Sequence, residues 1–260
     1  MLECVINISE GQQLQLLDAI AATAGRELLD IHSDPDHNRS VLTVAGVDAP
    51  RLITRAAVEL LNLSTHQGVH PRIGVVDVVP FVPLDSSTMN DAIAARDEFA
   101  LWIADELEVP AFCYGPERTL PEIRRNAFST LLPDFGPHSP HPTAGAVAVG
   151  AREVLVAWNL WLVEPDLELA QTIARELRGP GIRALGLAVG DEVQVSFNLI
   201  DPLQVGLVEV YDRVAEKAAI KRAELVGLVP DEVLAEIPTD RLRDLDLSAD
   251  RTIGARLAAR

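Results

Sequence analysis

The sequence predicts an α+β protein that consists of two ferredoxin-like βαββαβ subdomains. Apolar segments and helical periodicities alternate in this order between residues 3 and 82, and the same order returns between residues 154 and 226. Two such split βαβ arrangements are typical of the ferredoxin-like fold. The two stretches share no evident sequence similarity, so the repeat is one of architecture. The predicted parts are an N-terminal subdomain at 1–150 with a helical and loop extension at 85–150, a C-terminal subdomain at 151–236, and a charged tail at 237–260.

The first subdomain begins with four strand candidates separated by two helix candidates. One helix is predicted after Ser9 as its N-cap, with Leu17 and Ile20 on its apolar face. The second is predicted from Asp48 and Pro50, because proline is favoured in the first turn of a helix. The strand candidates are Glu3–Ile8, Glu27–Ile31, Arg39–Ala45 and Val75–Val82.

In the extension of the first subdomain, the sequence predicts one helix, one strand and a long loop. The pattern Thr88-x-x-Asp91 is a capping box and predicts a helix that runs through Ile103. The stretch Val109–Tyr114 is a further strand candidate. The stretch Phe128–Thr143 is rich in Pro, Gly, His and Ser and has no periodicity. A structureless stretch of this length is uncommon inside a compact chain and is often functional.

The second subdomain repeats this order of elements, and its helix starts and turns are marked by proline, glycine and aspartate. Pro165 and the pair Asp201-Pro202 each predict the start of a helix, and Gly190-Asp191 predicts a tight hairpin turn. The charged tail predicts one short amphipathic helix and suggests no function. The strand candidates are Val154–Val163, Ala184–Val189, Val193–Leu199 and Lys221–Val226.

The composition excludes several classes of function. A formal net charge of −17 argues against nucleic-acid binding, which needs clustered Lys and Arg. No apolar run approaches the ~20 residues that cross a bilayer, and no secretory signal is evident, so we expect a cytoplasmic protein without a membrane partner. Cys4 and Cys113 form no C-x-x-C motif and are best explained as small buried residues in a reducing compartment.

The histidines all precede residue 142 and fall in three pairs on predicted loops. The spacing of His66 and His70 allows a zinc site if both lie on one helix, but Gly68 and Pro71 disfavour a helix, and Gln67 replaces the glutamate of H-E-x-x-H. We therefore expect no metal. Acid–base chemistry suits a histidine on such a loop better, because its pKa lies near neutrality. The six histidines are His32, His37, His66, His70, His138 and His141.

Three arginines adjoin these loops. Arg39 follows a turn, Arg72 follows the histidine segment, and Arg152 opens the second subdomain. An arginine binds a carboxylate with two parallel hydrogen bonds, so each is a candidate for a substrate carboxylate. Each arginine could instead be a solvated surface residue with no role in binding. Arg72 could also simply form an ion pair with Asp77.

Several motifs, in one order along the chain, resemble the formiminotransferase domain of glutamate formimidoyltransferase and of formiminotransferase-cyclodeaminase. The most specific stretch reads H-Q-G-V-H-P-R-I-G. Because the matches extend from about residue 3 to 230, they carry more weight together than any one motif. The matching stretches are Glu3–Gly11, Asp36–Arg39, His66–Gly74, Asp77–Pro83, Pro133–Pro137, Gly150–Arg152, Gln194–Asn198 and Glu224–Pro230.

The resemblance implies a chemistry and a site. Family members transfer a formimino group from N-formimino-L-glutamate to N5 of tetrahydrofolate, the co-substrate, during histidine breakdown and one-carbon metabolism. By position in the motif, His70 is the implied catalytic residue. The resemblance further implies a cleft between the subdomains, a homodimer and no metal. The implied folate-binding loop comprises Gly136, Pro137, His138, Ser139, Pro140, His141, Pro142, Thr143, Ala144 and Gly145.

Departures from the family pattern leave alternatives open. His32 stands where some members have an acidic residue, and His138 and His141 are additions within the predicted folate loop. These differences keep two other hypotheses in view. One is formyl transfer between 5-formyltetrahydrofolate and glutamate, and the other is a folate-binding protein without catalysis. The role of His66 is not fixed by the pattern.

Overall fold

The structure is a computed structural model that describes residues 1–68 and 71–260. It divides into two compact units, Met1–Glu153 and Val154–Arg260. Each unit contains one sheet with helices, so the predicted α+β class with two subdomains is confirmed. Val69 and the predicted catalytic residue His70 lie outside the described residues.

The first unit has a six-stranded sheet. Its strands are β1 (Leu2–Ile8), β2 (Leu28–Asp34), β3 (Arg39–Ala45), β4 (Val76–Pro83), β5 (Ala111–Tyr114) and β6 (Val147–Ala151). The strand order is β2-β3-β1-β4-β6-β5. The first four strands are antiparallel, as in the ferredoxin-like fold. Strand β6 joins β4 in parallel, and β5 joins β6 in parallel.

The helices of the first unit are α1 (Leu14–Ala22), α2 (Ala49–Leu60), α3 (Met89–Leu107) and α4 (Leu120–Asn126). Helices α1, α2 and α3 pack on one face of the sheet, where alternate residues of β1 such as Cys4 and Ile6 are fully buried. Burial of each large apolar side chain contributes about 1.5–3 kcal/mol, so this face supplies most of the unit's core. The predicted capping box at Thr88 and Asp91 begins α3.

One expectation for the first unit is wrong, and two of its elements were not predicted. Ser9 does not cap α1, because its hydroxyl donates to Gly74 O at 2.7 Å. Glu10 instead accepts the N–H groups of the preceding turn. Helix α4 and strand β6 were not predicted: α4 precedes the predicted loop at 128–143, and β6 follows it and lies between β4 and β5 inside the sheet.

The second unit repeats the ferredoxin-like order on a smaller sheet, β10-β7-β9-β8. Its helix after residue 200 begins beyond Gly206, so the predicted start at Asp201-Pro202 is wrong; Asp201 closes a turn there. In the tail, Leu245 is buried and its carbonyl accepts from Nε1 of Trp158 at 3.0 Å. The elements are β7 (Val156–Leu162), α5 (Leu167–Leu177), β8 (Ile182–Val189), β9 (Glu192–Leu199), α6 (Leu207–Ala215), β10 (Ile220–Val226), α7 (Asp231–Ala235) and α8 (Ile253–Ala258).

Within the described ranges, neither unit has a helix whose length and apolar character would let it cross a bilayer.

Candidate functional site

The predicted site segments of the first unit meet at one end of its sheet. Strands β1 and β2 end there, while β3, β4, β5 and β6 begin there, as the strand pairings show. The connections at this end therefore carry the turn at 34–39, the segment before β4 and the loop before β6. This topology brings together residues that lie far apart in the sequence.

Close approach of these connections explains the glycine in the H-x-G-x-H motif. A Cβ at Gly68 would lie 2.5 Å from His37 O and 2.6 Å from Nη2 of Arg72. No side chain fits at that distance, so the turn at 34–39 and the histidine segment can approach only over glycine. Asn38 then connects the two by donating from Nδ2 to Gln67 O at 2.8 Å.

His66 contacts both the turn and Arg72. Its Nε2 lies 3.0 Å from Asn38 O, and because a carbonyl can only accept, the ring proton lies on Nε2. Nη1 of Arg72 donates to Nδ1 of the same ring at 2.8 Å. Burial, followed by the charge of Arg72, lowers the pKa of His66. His66 is therefore a neutral side chain beside a guanidinium, and a second proton would be repelled.

Asp77, at the start of β4, interacts with the charges of three arginines. Arg124, from helix α4, forms an ion pair with its carboxylate, and Ile73 N donates to Oδ1 of Asp77 at 2.7 Å. Arg39 and Arg72 also lie in the electrostatic field of Asp77. Burial is the main cause that lowers the pKa of both Arg39 and Arg72. The mutual repulsion of these cations adds to that effect.

Two carboxylates and two further arginines interact electrostatically with Arg39. Asp34 and Asp77 supply two negative charges, whereas Arg39, Arg72 and Arg124 supply three positive ones. Partly buried charge is screened less than charge in open water. The cluster therefore favours an anionic ligand, although the whole chain carries a net charge of −17.

A cavity of about 460 Å³ opens beside His66. Its lining includes Glu10, Gln13, Asn38 and Gln67. Oε1 of Glu10 accepts the N–H groups of Gln12 and Gln13 at 2.7 and 2.8 Å. Burial opposes ionisation of this carboxyl, but the hydrogen bonds from Gln13 and Gln12 outweigh burial, and the pKa of Glu10 is lowered.

The predicted folate loop reaches the same sheet end. Its first part, 136–140, is exposed, whereas Ala144 and Gly145 are buried beside the segment before β4. Val75 N donates to Ala144 O at 3.0 Å, and Gly145 pairs with Gly74. Nδ1 of His141 accepts from Ala144 N at 3.0 Å, so this histidine stabilises the turn that ends the loop.

Other predicted site residues lie apart from this cluster. Arg152 follows β6 at the opposite end of the sheet, where its N–H donates to Phe81 O at 3.1 Å. A seven-residue strand separates the two ends by ~20 Å at ~3.3 Å per residue. His138 is exposed on the loop, and His32 lies on β2. Across residues 1–68 and 71–260, no three His, Cys, Asp or Glu side chains are grouped as a metal site would require.

Sequence reasoning missed two residues of the site, Arg124 and Glu10. Arg124 lies on α4, which was not predicted, although Thr119 and Glu122 form a capping box that indicates the helix. Glu10 appears in the N-terminal motif, but no local pattern shows that its carboxylate lines a cavity.

The described residues form two ferredoxin-like α+β units, and the first unit carries His66 and an arginine cluster at one end of its sheet. Residues 1–152 match the family model described as the formiminotransferase domain, N-terminal subdomain. Glutamate formimidoyltransferase of Streptococcus pyogenes serotype M1 is 33% identical to this chain over 273 residues, which cover 91% of each chain. The chain belongs to the formiminotransferase family, as its motifs predicted.

Two further relatives agree with this assignment. Glutamate formimidoyltransferase of Thermoplasma acidophilum is 32% identical over 275 residues, covering 91% of this chain and 90% of the relative. Formimidoyltransferase-cyclodeaminase of Sus scrofa is 34% identical over 278 residues. The match covers 91% of this chain but 51% of the pig protein, so this chain spans about half the length of that relative.

Proposed function

We propose that this protein is a transferase that moves a formimino group from N-formimino-L-glutamate to N5 of tetrahydrofolate, giving 5-formimidoyltetrahydrofolate and glutamate. The observation that carries the proposal is the positively charged cluster of Arg39, Arg72 and Arg124, which lies beside His66 in a member of the formiminotransferase family. The donor and the folate tail both carry carboxylates, which such a cluster attracts.

Proton transfer in this reaction needs one group that works in both directions. N5 of tetrahydrofolate attacks the amidine carbon and loses a proton, and the carbon–nitrogen bond to glutamate then breaks as that nitrogen gains a proton. A histidine can serve as base and then as acid. We assign this role to His70 from its place in the motif, two residues before Arg72.

Binding of both reactants accounts for the rest of the acceleration. Good orientation can contribute ~7–11 kcal/mol to a two-substrate reaction. Arg39 and Arg72 are assigned to a donor carboxylate, and the loop from Gly136 to Gly145 to the folate. Arg152 lies at the far end of the sheet, so its assignment to a carboxylate of the same donor has less support.

The remaining parts of the proposal concern organisation. Residues 1–150, with the extension 85–150, form the N-terminal formiminotransferase subdomain, and residues 151–236 form the C-terminal one. The protein acts in the cytoplasm, and it acts as a homodimer. A measurement of its mass in solution tests the homodimer directly.

The deciding experiment offers the purified protein each donor. N-formimino-L-glutamate with tetrahydrofolate should give 5-formimidoyltetrahydrofolate, followed by chromatography and mass spectrometry. Product from 5-formyltetrahydrofolate and glutamate, with none from the formimino donor, would replace the proposal by formyl transfer. Folate binding without turnover of either donor would identify a binding protein.

A further inference from the structure

Glu10 is the charged side chain at the cavity beside His66. It is 5% exposed, and it lies directly after β1 at the same sheet end as the arginine cluster. The other described residues of the lining are apolar or uncharged, since His66 is held neutral. The cavity thus presents one negative charge at the same sheet end as the arginine cluster.

The Glu10 carboxylate keeps acceptor capacity toward the cavity. Its Oε1 is occupied by two backbone N–H groups, whereas its Oε2 accepts from Nε2 of Gln13 at 2.8 Å. A carboxylate offers about four acceptor positions, and the side chain of Gln13 is exposed and can move aside. A ligand N–H can therefore bind Oε2 without loss of the backbone contacts that hold the carboxylate in place.

The two possible one-carbon groups differ in charge at this point. An N-alkyl formamidine is protonated near neutral pH and carries N–H donors on both nitrogens. A formamide of the same size is neutral and presents a carbonyl oxygen, which a carboxylate repels. Arg72, which contacts His66 at the edge of the cavity, is placed to attract the carboxylates of either molecule.

We infer that Glu10 is a specificity-determining residue that binds the cationic formimino group of the donor and selects it over a formyl group. The inference rests on the proposed function and names the part of the donor that this cavity recognises. Charge-assisted hydrogen bonds are roughly twice as strong as neutral ones, so the carboxylate contributes through its charge.

The test measures binding, so it does not depend on turnover. Titration calorimetry gives the Kd of N-formimino-L-glutamate and of N-formyl-L-glutamate for the wild type and Glu10→Gln. The amide keeps an oxygen for the N–H groups of Gln12 and Gln13. We expect the Kd of the formimino compound to rise about 10- to 100-fold, as the loss of a charge-assisted contact predicts, while that of the formyl compound changes less than about twofold.

Glu27→Gln is the matched control. Oε2 of Glu27 also accepts a backbone N–H at the start of a helix, from Ala49 at 3.0 Å, but Glu27 does not line the cavity. This variant should leave both Kd values unchanged, so a rise in both variants would indicate structural damage and overturn the inference.

A second ligand group could bind Glu10, because the pterin ring of tetrahydrofolate also presents adjacent N–H donors. Two outcomes distinguish the pterin ring from the formimino group of the donor. If Glu10→Gln raises the Kd of tetrahydrofolate and leaves the Kd of the formimino compound unchanged, the residue binds the pterin and the assignment to the donor is wrong. Wild-type protein that binds the donor but transfers nothing would refute the proposed function and leave this inference standing.

Discussion

Replacement of Asp77 by asparagine tests the electrostatic description of the site most sharply. Asp77 is 2% exposed, and asparagine preserves its shape and its hydrogen bond from Ile73 N. The ion pair with Arg124 loses its negative charge, and the three arginines lose one of the carboxylates with which they interact. Removal of one partner from a buried ion pair costs about 3–5 kcal/mol. Because the Arg124 side chain is 19% exposed, solvent screens its charge and we expect a cost just below this range, about 2–3 kcal/mol.

The assay is urea unfolding of the wild type, Asp77→Asn, Arg124→Gln and the double variant. The double variant should be destabilised less than the sum of the single variants, because it removes both charges. Added sulfate should stabilise Asp77→Asn more than the wild type, since the excess positive charge is larger. A loss below about 0.5 kcal/mol in Asp77→Asn, or strict additivity in the double variant, would refute the reasoning.

Three further predictions follow from single residues. Gly68→Ala should lower the free energy of unfolding by about 1–3 kcal/mol and reduce activity, because the added Cβ would displace Arg72; unchanged activity would contradict this. Burial raises the pKa of Glu3 from its usual 4.5 to about 7. The protonated form is therefore favoured in the folded state, and its contribution, full below pH 4.5, is lost as the pH rises through 7. Glu3→Gln should thus stabilise the protein at pH 8 by up to about 3 kcal/mol, at ~1.4 kcal/mol for each pH unit, and equal stability of the two proteins in urea at pH 8 would contradict it. Burial raises the pKa of Cys113 to about 12, so native protein at pH 8 should react with a thiol reagent far more slowly at this residue than unfolded protein does.

The antiparallel part of the fold could be predicted well from the sequence. Strand β3 has the predicted bounds Arg39–Ala45, because β-branched residues alternate there between two turn signals. Helix α3 follows from its capping box. In these segments the local conformational preference agrees with the tertiary structure, so the segments can be predicted from a single sequence.

Strand β6 and helix α4 could not be predicted with the same ease. The five residues of β6 read V-A-V-G-A, and small residues have weak strand preference outside a sheet. Its position depends on parallel pairing with β4 and β5, which no local pattern encodes. Helix α4 has seven residues, so periodicity is uninformative and only its capping box indicates it.

The site was predicted in part. Sequence patterns indicated Arg39 and Arg72, and the strand topology brings them together at one sheet end. Arg152 was an equal candidate, yet it lies at the other end, because a parallel strand returns the chain there. Arg124 and Glu10 contribute through side chains that meet only in the folded chain, so spacing in the sequence does not show them.

The rate of glutamate release from N-formimino-L-glutamate, measured with and without tetrahydrofolate, tests the central claim most directly. Wild-type protein should release glutamate only when tetrahydrofolate is present. His70→Ala should lower kcat by about 10²–10⁴-fold, the usual contribution of general acid–base catalysis, with little change in the Kd of the donor. Equal rates in the two proteins, or release that does not depend on tetrahydrofolate, would contradict the account.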